Sequence, residues 1–156
     1  VHSIEHGSYL NDESISLFKE TGAYLVPTLL AGVSVYEELS VNPNIPPAII
    51  DKIKQVAPVV EASFKKALKA NINIAFGTDS GVSIHGTNAR EFELMVKYGM
   101  DENQAIKTAT INAATLLGKE KTLGTLKTGM QADIVATKED PLQDISVVKK
   151  IAFVMK

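Results

Sequence analysis

The stretch Asn73-Ile74-Ala75-Phe76-Gly77-Thr78-Asp79-Ser80-Gly81 passes from β-prone apolar residues straight into a polar turn bracketed by glycines. It predicts a strand over 73–76 that delivers Asp79 to a loop at its C-terminal end. Two earlier stretches follow the same plan. Val1-His2-Ser3-Ile4-Glu5 is a short β-prone run that ends at His6-Gly7. Ala23 to Leu30 (AYLVPTLL) is apolar, and Pro27 would break an interior ladder, so this strand is predicted to end near Val26.

Helical patterns separate the strands. Asn11-Asp12 offers an N-cap, Ile15, Leu17 and Phe18 an apolar face, and Gly22 a C-terminal glycine. Gly32 to Pro47 reads as a loop, punctuated by Asn42-Pro43-Asn44 and Pro46-Pro47. From Pro47 onward, Ile49, Ile53, Val56, Val60, Phe64 and Ala67 recur at helical spacing, with Pro58 placed to kink or split the helix. Three more helices are predicted over 88–98, 101–108 and 111–117, the second with Asp101 and Gln104 spaced as a capping box. The segments 124–137 and 147–155 read as turns and strands. A boundary near Lys119 to Thr122 would divide the chain into units 1–120 and 121–156.

Alternating strands and helices define an α/β class with parallel strands and right-handed crossovers. Three such units cannot close an eight-stranded barrel. An open sheet and the last part of a barrel both remain open at this point.

Composition excludes several function classes. The 156 residues are 45% hydrophobic and 22% charged, with net charge −2, so there is no basic footprint for nucleic acid. No apolar run is long enough to span a bilayer. With no cysteine, the chain forms neither disulfides nor thiolate metal sites, which fits a reducing compartment such as the cytoplasm without requiring one. The chain starts at Val1 and stops within a strand-like run, Ile151 to Lys156, and we expect an N-terminal part of the same protein to precede it.

In parallel α/β folds, ligands bind beyond the C-terminal strand ends. His6 and Asp79 fall at such ends, and His85 lies in the loop after Asp79. Imidazole and carboxylate both ligate zinc and related divalent ions, and a carboxylate can accept a proton from water that a metal has acidified. Each residue also has a plainer reading. A histidine before glycine is commonly a turn residue, and Gly77 to Gly81 could be an ordinary Asx-turn. His2 shares a strand face with His6 and reads as a surface or core-edge residue. Glu37-Glu38 reads as a solvated patch rather than a catalytic pair.

Taken together, these segments resemble the amidohydrolase superfamily, in particular its imidazolonepropionase-like and Xaa-Pro dipeptidase-like branch. Ser3-Ile4-Glu5-His6-Gly7 resembles the sixth strand of that family's TIM-type (β/α)8 barrel, Ala23 to Thr28 the seventh, and Phe76 to Gly81 the eighth. His85-Gly86-Thr87-Asn88 with Arg90-Glu91 resembles the loop after strand eight. Ala109-Thr110, Asn112-Ala113-Ala114 and Leu117-Gly118 resemble the following helix, and Gly124 to Lys127 with Ala132-Asp133-Ile134-Val135 the return into a small β-sandwich.

The resemblance implies a metal-dependent hydrolase of amide C–N bonds, acting on a dipeptide or other small-molecule substrate. In it His6 and Asp79 bind one or two divalent ions, most simply zinc, and Asp79 is the general base. His85 lies near the substrate. The HxH pair, the lysine or glutamate bridge and the strand-five histidine of the family are absent from these residues, so the chain is expected to be an incomplete, C-terminal piece. A cyclic amidase, or a non-catalytic half-barrel binding module, is the alternative reading. A homo-oligomer is compatible with either.

Overall fold

The computed structural model describes residues 1–41 and 44–156, so Asn42 and Pro43 of the predicted loop lie outside the described residues. Three parallel strands form one sheet in the order β1-β2-β3: β1 (Ser3–Glu5), β2 (Tyr24–Val26) and β3 (Asn73–Ile74). Ser3 stands opposite Tyr24, Ile4 opposite Leu25 and Glu5 opposite Val26, while Leu25 faces Ile74 on its other side. The ladder runs one step past each strand. His6 N–H donates to Val26 O at 2.9 Å, and Ala75 N–H to Leu25 O at 3.0 Å. The predicted α/β class and parallel strands are therefore observed.

β1 leads to α1 (Asp12–Thr21), whose ends follow the predicted caps. Asn11 Oδ1 accepts from Ser14 N, Ser14 Oγ accepts from Asn11 N, and Gly22 closes the helix at φ 67°. Ile15 and Phe18 go into the core, while Leu17 stays half-exposed at 52%.

The chain after β2 departs from the prediction. Gly32 to Val41 is not a loop but most of a helix, α2 (Leu29–Val41). Its first turn is buried, and its first N–H groups find an acceptor from a distant part of the chain, described below. α3 (Pro47–Ala70) then returns to β3 as one continuous helix through Pro58. Pro58 is exposed, so solvent can serve the carbonyl that it leaves without a donor. The apolar stripe of α3 is fully buried only toward its C-terminal end, at Phe64 and Ala67, and Ile49 remains 44% exposed.

Past β3 come α4 (Arg90–Lys97), α5 (Glu102–Ala109) and α6 (Ile111–Leu116). Asp101 caps α5 by accepting from Gln104 N at 2.8 Å. These helices occupy the side of β3 away from β2. Phe76 N–H donates to Thr108 O at 3.0 Å, and Asn112 Nδ2 donates to Ile74 O at 2.9 Å. Helix groups thus satisfy backbone atoms that a further strand would otherwise pair.

The core gathers Phe18, Leu25, Leu30, Phe64, Met95 and Ala105, from α1, β2, α2, α3, α4 and α5. Ile145 joins it from the C-terminal segment, and Lys149 pairs with Glu93 of α4. Part of the predicted C-terminal β-region is instead a 3-10 helix, Ile145–Lys149. Asp144 starts it by accepting from Ser146 N at 2.9 Å, and burial of Ile145 anchors it. β4 (Ile134–Ala136) and β5 (Phe153–Met155) form a separate antiparallel pair, with Val135 and Val154 opposite each other and 63% and 69% exposed. Among the described residues, no helix is long and apolar enough to cross a membrane.

Candidate functional site

Parallel pairing brings the C-terminal ends of β1, β2 and β3 to one edge of the sheet. Each end is followed by a non-glycine residue with positive φ: His6 at 65°, Thr28 at 47° and Asp79 at 52°. This conformation is uncommon for side chains with a Cβ and most costly for a β-branched one, and strain of this kind concentrates at functional sites. His6 is thereby turned out of the alternation of β1, so it does not share a strand face with His2 as the spacing suggested.

His6 Nδ1 lies 2.6 Å from Thr28 Oγ1. In the tautomer with its proton on Nδ1, His6 donates to the Thr28 hydroxyl, and its Nε2 lone pair is left for a metal. This is the usual outer support of a ligating histidine. Thr28 is 6% exposed, whereas His6 is exposed. No local pattern marks Thr28, since its role arises across 22 residues of chain.

Asp79 projects from a tightly built turn. Its carbonyl accepts from Val82 N at 3.1 Å, and Ser80 bridges to Ser83. Behind it, Asn88 Nδ2 donates to Ser80 Oγ at 2.9 Å and to Thr78 Oγ1 at 3.4 Å, which ties the start of the loop to the approach of α4. The Asp79 carboxylate has no hydrogen-bond partner among the described residues and is exposed. Gly77, just before it, packs so close to β2 that an added Cβ would run into Val26 Cγ1. Gly77→Ala should therefore displace this loop and destabilise the chain by about 1–3 kcal/mol, as overpacking does. Denaturant melts of wild type and variant check this, and equal midpoints would contradict it.

His85 is exposed further along the loop, where Thr87 N and Oγ1 both donate to the carbonyl of Ile84, at 3.2 and 2.6 Å. The structure thus brings His6 and Asp79 to one sheet edge. Among the described residues, no three His, Cys, Asp or Glu side chains could together hold a metal ion. His6 and Asp79 fit a divalent metal as two donors of a set, fewer than the three protein ligands usual for catalytic zinc.

Sequence reasoning missed the supports of α2. Glu91 is fully buried, and both carboxylate oxygens accept backbone N–H groups at the start of α2, from Leu29 at 2.8 Å and Leu30 at 2.7 Å. Burial pushes the Glu91 carboxyl up to about 7, against the pull of those two donors. Its neighbour Arg90 forks onto Glu37 at 3.0 and 2.6 Å, so Glu37 is ion-paired rather than simply solvated. The guanidinium holds Glu37 below the usual carboxylate range. α4 therefore grips α2 at its first turn and again two turns on.

A histidine and an aspartate beyond the C-terminal strand ends of a parallel sheet lie where α/β folds bind ligands, and both are donors suited to a divalent metal. The chain belongs to the amidohydrolase family, whose pattern it matches across residues 1–156, and this family generally binds divalent metals and acts on small molecules. It is similar to the ochratoxinase of Aspergillus niger, with 36% identity over 149 residues, covering 93% of this chain and 30% of that protein. It also resembles a crystal structure of a Xaa-Pro dipeptidase with bound methionine in the active site, at TM-score 0.91 and 42% identity, covering 100% of this chain and 38% of that one. The solved A. niger ochratoxinase superposes at TM-score 0.85 with 32% identity, covering 99% and 36%. The chain spans about a third of the length of these relatives.

Proposed function

We propose that this chain works within a longer metal-dependent amidohydrolase that cleaves an amide C–N bond in a dipeptide ending in proline or in a similar N-acyl amino acid. The observation that carries this reading is the sheet edge itself, with Thr28-supported His6 and Asp79 both held in left-handed backbone there. The similarity to an ochratoxinase and a Xaa-Pro dipeptidase supports the reaction class. In this proposal β1, β2 and β3 are the sixth to eighth strands of a TIM-type barrel, residues 1–120 complete that barrel, and 121–156 belong to a small β-sandwich. The remaining metal ligands lie on an N-terminal part of the same protein.

A divalent ion, which we take to be zinc, supplies Lewis-acid polarisation of the carbonyl and lowers the pKa of water when bound. His6 would be one of the residues to hold such an ion, with Thr28 fixing the ring. Asp79 accepts the proton of the attacking water and passes it to the departing amine nitrogen. His85 lines the approach of the substrate.

Turnover of a panel of Xaa-Pro dipeptides, N-acyl amino acids and lactams by the metal-loaded full-length protein tests the reading. Hydrolysis of the dipeptides is expected, preference for lactams would move the assignment to a cyclic amidase, and failure on every amide would end it. The support of His6 gives a separate expectation. Thr28→Val should weaken metal affinity about 10–100-fold, the usual loss when the hydrogen-bond partner of a ligand is removed. Competition with a chelator reads this directly, and unchanged affinity would contradict the role given to Thr28.

A further inference from the structure

We propose that Glu91 is a positioning residue for His6: by capping α2 in place of Thr28, it releases the Thr28 hydroxyl to hold the imidazole. Its use in catalysis rests on the hydrolase reading, in which His6 would help to hold a divalent ion.

The residue before a helix usually caps it with its own side chain, from extended backbone. Two helices of this chain are capped in that way. Asn11, at φ −111°, accepts from Ser14 N, and Asp101, at φ −76°, accepts from Gln104 N. Thr28 stands at the same place before α2 and is a residue type suited to the task. Its backbone is instead left-handed, at φ 47°, and its hydroxyl oxygen lies 2.6 Å from His6 Nδ1. Glu91 serves the start of α2 in its place. Leu29 N–H donates to one carboxylate oxygen at 2.8 Å and Leu30 N–H to the other at 2.7 Å, while Ala31 N–H closes onto Thr28 O at 3.1 Å.

Burial makes this exchange obligatory. Leu29 is 3% exposed and Leu30 and Glu91 are 0% exposed, so water does not replace a lost acceptor there. Left-handed backbone is strained for a β-branched residue and persists only where its surroundings over-determine it. Without Glu91, two forces would pull Thr28 back to an ordinary cap: a buried N–H in need of an acceptor, and relief of its own backbone. Either movement takes Oγ1 away from His6. Glu91 thus acts on His6 through Thr28. The Arg90–Glu37 pair joins the same two helices away from the Thr28 turn, which makes it a control.

The test uses the full-length protein at pH 8, above the value of about 7 to which burial raises Glu91, so that the wild-type group is ionised. Zinc affinity is measured by competition with a chelator across a double-mutant cycle of Glu91→Gln and Thr28→Val. Glutamine keeps the side-chain volume and one acceptor oxygen, which spares the fold more than alanine does. Alone, Glu91→Gln should weaken zinc binding about tenfold, the low end of the loss when the outer support of a ligand is disturbed. In the Thr28→Val background it should change affinity by less than about twofold, because the hydroxyl through which it acts is gone. Glu37→Gln should leave zinc affinity unchanged. Heteronuclear NMR of the histidine side chains in the metal-depleted protein, with the His6 signal assigned by its loss in His6→Ala, adds a metal-free readout. His6 should carry its proton on Nδ1 in wild type and shift toward the Nε2-protonated form in Glu91→Gln. Equal losses of affinity in both backgrounds, or the same loss from Glu37→Gln, would overturn the positioning role, as would an unchanged His6 signal. If the His6 signal responds but no zinc is bound or no amide is cleaved, Glu91 positions His6 and the hydrolase reading fails. Cleavage of amides with no response to Glu91→Gln removes the positioning role alone.

Discussion

Asp79→Asn in the full-length protein should lower kcat by about 10²–10⁴-fold, the span that a positioned general base contributes. Asparagine keeps one oxygen of the carboxylate and nearly the same volume, so the turn built by Val82, Ser80 and Asn88 should survive. What it loses is the ability to take up a proton and much of its strength as a metal ligand. KM should change less than kcat, because the missing interaction is made mainly in the transition state. Steady-state kinetics with metal content measured on the same samples separates the two losses. A variant that keeps its metal and loses most of its kcat identifies proton transfer as the role of Asp79. Activity within a few-fold of wild type would remove Asp79 from the reaction.

The second large effect is on stability. Glu91→Ala should destabilise the protein by about 3–5 kcal/mol, since it strips the acceptor from two buried N–H groups and leaves a void. The damage should centre on α2, whose first turn Glu91 holds. Glu91 also sets a pH dependence. Its folded value, about 7, lies above its ordinary value of 4.5, so between those limits the native state binds more protons than the unfolded one. Its contribution is fully present below pH 4.5 and is lost as pH rises through 7, by about 3 kcal/mol in all. Glu91→Gln removes the titrating group and should flatten that part of the profile. Urea melts from pH 4.5 to pH 8 on both proteins give the comparison, and parallel profiles would show that Glu91 carries no such linkage.

The strands and the first helix were legible because their signals are local. Pro27 stops β2 one residue after its last paired position, and Asn11 and Gly22 mark the ends of α1 through groups within four residues of them. α2 was not legible for the opposite reason. Its cap is Glu91, 62 positions from Leu29, and a sequence window around Gly32 contains glycine and serine but not the carboxylate that orders them. The candidate site divides in the same way. His6 and Asp79 stand out as chemistry-bearing residues at predicted strand ends. The hydrogen bond of His6 to Thr28 and the left-handed backbone of all three strand-end residues depend on which strands and loops lie side by side. Resemblance to a family supplied the reaction class, whereas residue spacing alone reached only a parallel α/β fold with two candidate metal donors.

The central claim is that His6 and Asp79 complete a hydrolytic metal site. Titrating zinc into the metal-depleted full-length protein while following hydrolysis of leucyl-proline tests it most directly, with wild type and His6→Ala run in parallel. We expect no turnover without metal, recovery that saturates at one or two equivalents in wild type, and a weakened, much reduced recovery in His6→Ala. Turnover that is indifferent to zinc, or identical titrations for the two proteins, would contradict the account.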